Sequence, residues 1–159
     1  MINVTAISAL RDNYIWAITG LEQGVIVVDP SESAPVLAFL QDQPLAAILV
    51  THHHWDHTGG IAQLREAFPK VKVYGSKDAP VDQVLDAGMF ELLGLKVEVL
   101  AIPGHTLDHL ALHFVEQKWL FSGDTLFSAG CGKVFEGTYA QMFDSLKALE
   151  NLPADTKLF

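Results

Sequence analysis

Residues 51 to 60 read THHHWDHTGG and hold four of the chain's seven histidines, His52, His53, His54 and His57, with Asp56 among them. Immediately before them LAAILV, residues 45 to 50, is a short and wholly apolar run, which predicts a strand buried on both faces. After them GGIAQLREAF, residues 59 to 68, spaces Ile61, Leu64 and Phe68 as a helix does, and Pro69 ends it. VKVYGS, residues 71 to 76, follows as another strand. The polar stretch is therefore a loop at the end of a strand, where binding residues collect on a rigid frame.

If the chain stays extended past Val50, side chains two apart share a side, so His52, His54 and Asp56 converge while His53 and Trp55 face away. His57, at the start of the next helix, turns toward the same cavity. Three imidazoles and a carboxylate suit a transition metal such as Zn²⁺ and suit Ca²⁺ or Mg²⁺ poorly, since those ions prefer oxygen shells. Two later loops add donors at predicted strand ends: PGHT carries His105 and SGDT carries Asp124.

Outward from this centre the pattern is mixed. NVTAIS, YIWAIT and GVIVVD read as strands of an antiparallel meander, and SESAPVLAFLQDQ as a helix capped by serine. LKVEVLAI, HLALHFV and KWLFSG read as further strands, and Tyr139 to Glu150 as a last helix before Pro153. Strand runs on both sides of a few helices point to an α/β layered sandwich, two sheets with helices outside. With 159 residues, half of them hydrophobic, and no repeat or linker, one domain over residues 1–159 is expected.

A formal charge of −9 argues against nucleic-acid binding, which needs a basic face. MINVTAISAL has no basic residue ahead of its apolar ones, and no apolar run nears the roughly 20 residues that span a bilayer. A protein of the cytoplasm, free of membrane, is the expectation. The single cysteine, Cys131, fits a reducing compartment, and with no base in its segment it reads as structural.

THHHWDH at Thr51 to His57, GHT at Gly104 to Thr106 and GDT at Gly123 to Thr125, in that order, resemble the metallo-β-lactamase-fold hydrolases, with an αββα sandwich. Within that superfamily GDTLFSAGCGKVFEGT, residues 123 to 138, is similar to glyoxalase II, the hydroxyacylglutathione hydrolases. The resemblance implies that His52, His54 and His105 hold a first metal, that Asp56 and His57 belong to a second, and that Asp124 bridges them. The implied cofactor is Zn²⁺, with iron or manganese possible. Such a pair lowers the pKa of a bound water and polarises a carbonyl. Asp56 would orient the nucleophile and Lys133 would contact glutathione. The implied reaction is thioester hydrolysis of S-D-lactoylglutathione to D-lactate and glutathione.

The chain also departs from that pattern. Phe135 stands where some members have Tyr, removing a hydroxyl, and Asp108 stands where Gly is usual, reshaping its loop or adding a carboxylate near the metal. A further histidine ligand, the last strands and a helical glutathione-binding domain lie, in the family, beyond the segment that LPADTKLF resembles. The chain thus reads as truncated at its C-terminus, with a weakened second site and a tendency to self-associate or to pair with the missing fragment. Two other functions compete: a mononuclear iron persulfide dioxygenase using His52, His105 and Asp124, and a catalytically inactive metal-binding fragment. His109 and His113, four apart on a predicted strand, read as packed or hydrogen-bonded and not as ligands.

Overall fold

Alternating β-branched and apolar residues offset their lost entropy only when a sheet buries one side of them, and two such sheets organise this protein. The computed structural model describes residues 1–159 and divides into two units, Met1–Val84 and Leu85–Phe159.

The first unit is a six-stranded sheet. β1 (Asn3–Ala9), β2 (Asn13–Leu21) and β3 (Gly24–Val28) form the expected antiparallel meander. β4 (Leu45–Val50), β5 (Lys72–Gly75) and β6 (Gln83–Val84) continue it in parallel, in the order β1-β2-β3-β4-β5-β6. Parallel neighbours need a crossover, and helices supply two of them. α1 (Ser33–Leu40) joins β3 to β4, while α2 (Trp55–Thr58) and α3 (Ile61–Ala67) join β4 to β5. Ile7, Ile15, Val25, Val27, Ile48, Val50 and Val73 pack with Val36 and Leu40 of α1 and Ile61 and Leu64 of α3 in one core. The other face of the central strands, Ile26, Val28 and Leu49, is buried as well, which explains why LAAILV shows no alternation.

Two expectations need correction here. The cap of α1 is Glu32, not a serine, and its side chain makes no cap bond; its carboxylate instead accepts the Leu10 N–H at 2.6 Å. The histidine stretch is not extended through Asp56. It breaks into the single helical turn α2 after His54, because the His54 carbonyl accepts both the His57 N–H and the Thr58 hydroxyl at 3.0 Å. Asp56 and His57 are therefore placed by a helical turn.

The second unit is a five-stranded sheet in the order β13-β10-β9-β8-β7. β7 (Gly88–Leu92), β8 (Leu95–Ala101), β9 (Leu110–Phe114) and β10 (Trp119–Phe121) run antiparallel, and β13 (Lys157–Leu158) lies parallel to β10. β11 (Leu126–Phe127) and β12 (Gly130–Cys131) make a separate small hairpin. α4 (Tyr139–Glu150) carries a full capping box: the Thr138 hydroxyl accepts the Gln141 N–H, and the Gln141 side chain accepts the Thr138 N–H. Its Leu149 packs with Ile102, Ala111 and Leu120 of this unit. The Ser145 hydroxyl donates to the Pro103 carbonyl at 2.8 Å and so anchors the loop that leads to His105.

Candidate functional site

In the first unit the donors cluster around His52. Its ring centroid lies 4.7 Å from that of His54 and 4.2 Å from that of His57. Asp29 organises them. It follows the parallel neighbour β3, is only 4% exposed, and adopts a left-handed φ of 52°, which an aspartate tolerates better than most residues. One carboxylate oxygen accepts the Thr51 N–H at 2.8 Å; the other accepts the Thr51 hydroxyl at 2.7 Å and faces His57 Nδ1 at 3.0 Å.

These bonds assign the tautomers. Because a carboxylate only accepts, His57 Nδ1 carries the proton. Because the Thr51 hydroxyl gives its hydrogen to Asp29, it accepts from His52 Nδ1 at 3.0 Å. Both rings thus carry the proton on Nδ1 and would coordinate through Nε2, the carboxylate–histidine arrangement that orients metal ligands. One donor atom from each of Asp29, His52 and His57 lies within 4.8 Å of the others.

Asp56 is less enclosed, its side chain 30% exposed, with Oδ2 3.7 Å from His57 Nε2. Asn13 Nδ2 donates to the Asp56 carbonyl at 3.1 Å and to Asp56 Oδ2 at 3.3 Å. His53 is half-buried, its ring edge-on to His54 at 5.1 Å.

In the second unit His105 Nδ1 donates to the Lys133 carbonyl at 2.7 Å, so this ring too would coordinate through Nε2, which lies 3.3 Å from Asp124 Oδ2. His109 supports this pair. Its Nδ1 donates to the Leu110 carbonyl and its Nε2 accepts the Asp124 N–H, both at 3.1 Å. With both nitrogens committed, His109 is a structural residue. His113 is buried, with Nδ1 3.1 Å from the Glu98 carboxylate across the β8–β9 pair.

The segment after Asp124 wraps around the His105 loop. The Phe135 and Glu136 N–H groups donate to the His105 carbonyl, and the Glu136 carboxylate accepts the Leu107 N–H at 2.9 Å. The Phe135 ring lies edge-on to His105 at 5.2 Å, and the Lys133 ammonium sits 4.8 Å from the Phe135 centroid. Asp108 is buried and its Oδ1 accepts the Thr106 hydroxyl at 2.6 Å, so it braces its own loop. Gly132 permits the wrap: a Cβ there would stand 1.7 Å from the Asp124 carbonyl oxygen.

Sequence reading missed Asp29, Asn13 and Glu136. Asp29 left a signal, a carboxylate ending an apolar strand ahead of Pro30; Asn13 and Glu136 left none, since each acts on a residue far along the chain.

Histidines just after β4 and on α2, locked at Nδ1 with carboxylates beside them, form a donor set for a divalent metal. The chain belongs to the metallo-beta-lactamase superfamily, whose family model matches residues 10–159, and its fold is the metallo-β-lactamase fold. It is similar to the hydroxyacylglutathione hydrolase of Photobacterium profundum, with 47% identity covering 100% of this chain and 65% of that one. The hydroxyacylglutathione hydrolase of Xanthomonas euvesicatoria pv. vesicatoria is 48% identical over 95% of this chain and 61% of its own length. This chain spans a little under two thirds of the length of these relatives. Among solved structures, the BLEG-1 B3 metallo-beta-lactamase superposes with a TM-score of 0.88 over 99% of this chain and 90% of that one; at 20% identity that likeness concerns the fold alone.

Proposed function

We propose that residues 1–159 form the catalytic part of a cytoplasmic hydroxyacylglutathione hydrolase, acting on S-D-lactoylglutathione. The observation that carries the substrate assignment is the 47% identity to the Photobacterium profundum enzyme across the whole chain. The Nδ1-locked histidines support metal-dependent hydrolysis as the chemistry.

The proposed metal ligands are His52, His54, Asp56 and His57 of the first unit and His105 and Asp124 of the second, and zinc is the proposed ion, because imidazole and carboxylate donors suit it. When bound, such an ion activates water near neutral pH and polarises the thioester carbonyl. The chain's own residues do the rest. Asp29 and Thr51 hold two imidazoles in the coordinating tautomer, and the Lys133 carbonyl does the same for His105. Asp56, partly exposed beside His57, orients the attacking water. Lys133, held over Phe135, offers a cation to a glutathione carboxylate. In the net reaction a C–O bond forms from water, the C–S bond breaks, and the thiolate takes up the proton.

Thiol release from S-D-lactoylglutathione, measured on the purified protein together with its metal content, tests this reading. Turnover that disappears on chelation and returns with zinc supports it; metal-loaded protein without thiol release overturns it. Oxygen uptake with glutathione persulfide would favour the dioxygenase instead.

A further inference from the structure

We infer that Asn13 is a positioning residue for the Asp56 carboxylate, an inference that rests on Asp56 acting as a metal ligand. Asn13 opens β2, directly after the Leu10–Asp12 turn, and is 43 residues from Asp56 in sequence. Its amide group directs its donors at one residue, reaching the Asp56 carbonyl at 3.1 Å and Oδ2 at 3.3 Å. The first bond fixes the backbone of the four-residue helix α2, and the second fixes the rotation of the side chain that α2 carries. Without it, a carboxylate 30% exposed to solvent would sample several rotamers.

The chemistry of the donor matters. An amide orients a carboxylate oxygen without neutralising it, so Asp56 keeps its charge for a metal. A lysine or arginine in this place would form an ion pair and compete with the cation. Oδ2 is also the oxygen that stands 3.7 Å from His57 Nε2, so Asn13 sets the spacing between these two donors. Asn13 is itself held from behind. The turn before it is pinned where the Leu10 N–H meets the Glu32 carboxylate at 2.6 Å. The arrangement therefore runs from the start of α1, through the β1–β2 turn, to the helical turn of the histidine loop.

The test uses the whole chain as wild type, Asn13→Ala, Asn13→Leu and Asp56→Asn, with Arg11→Ala as a control. Each is titrated with zinc in a metal-buffered competition assay, with thioester hydrolysis measured alongside. Asn13→Leu keeps the side chain's size and removes its donor without adding a charge, and Arg11→Ala perturbs the same turn without reaching Asp56. The expected result is that both Asn13 variants weaken the zinc equivalent that Asp56→Asn weakens, by roughly 10-fold or more. The remaining equivalent and the Arg11→Ala protein should stay within about twofold of wild type, with kcat of the Asn13 variants falling and KM nearly unchanged. Wild-type zinc binding in Asn13→Ala, equal loss of every equivalent, or an Asp56→Asn protein that binds like wild type would each overturn the inference. If the wild type binds zinc and does not hydrolyse the thioester, the titration still decides the role of Asn13 while the proposed function falls.

Discussion

Asp29 shows how much of a candidate metal site can rest on a residue that orients the candidate ligands. Its carboxylate takes up the Thr51 N–H, the Thr51 hydroxyl and His57 Nδ1 while almost wholly buried. Asp29→Ala would strand those donors away from water, at a cost of about 3 kcal/mol in stability. It would also release both imidazoles from a single tautomer, so zinc affinity should fall by roughly 10- to 100-fold. Chemical denaturation and a zinc competition assay would measure the two losses separately. A variant with wild-type zinc affinity would show that the tautomers are set by other means. Residue by residue, the candidate donors were legible in the sequence because four imidazoles and a carboxylate crowd into residues 52 to 57 directly after one apolar run. Of the residues that orient them, Asp29 left only a carboxylate ending an apolar strand, and Asn13 left nothing, because a hydrogen bond over 43 positions leaves no local pattern.

At the scale of elements, apolar periodicity revealed the strands with strong alternation or continuous burial. It failed where backbone hydrogen bonds, and not side-chain pattern, decide the conformation. α2 is one example: the His54 carbonyl starts a helical turn that alternation would have kept extended. The β7–β8 hairpin is another. Its two-residue turn, Leu93–Gly94, has φ of 53° and 82°, and a leucine in the left-handed region is not a turn signature. The join between α3 and β5 depends on a charge. Asp82 Oδ2 accepts the Val73 N–H at 2.8 Å and meets Arg65 Nη2 at 3.2 Å. The Val73 N–H, aided by Arg65 and outweighing partial burial, holds the Asp82 carboxyl below its ordinary range. A lowered folded-state pKa stabilises the protein above the unfolded-state value and loses that effect as pH falls through the folded one. Asp82→Ala should therefore cost about 1 kcal/mol at pH 7, kept small by solvent around a side chain that is 34% exposed. Urea unfolding across pH should show the gap to wild type closing below about pH 4. A gap that persists unchanged in acid would mean that packing, not the charge, joins these elements.

For the whole molecule, the formal charge of −9 makes any divalent cation mildly stabilising by screening, so a rise in melting temperature with metal does not by itself reveal a site. The nature of the donors separates the two effects. The candidate ligands are mainly imidazoles oriented to coordinate through Nε2, and these favour zinc strongly over magnesium, whereas screening treats the two ions nearly alike. A ligand that binds only the folded state at 100 times its Kd adds about 2.7 kcal/mol, which for a chain of this length is a shift of roughly 5 to 10 °C. Chelator-stripped protein should therefore melt lower than the zinc-loaded form by about that amount, and an equal concentration of magnesium should recover little of the difference. Equal shifts with both ions would reduce the histidine loop to a polar turn on an acidic protein. A shift confined to zinc would place the coordination energy in the native state, where the bonds from Asp29, Thr51 and the Lys133 carbonyl have already oriented the rings.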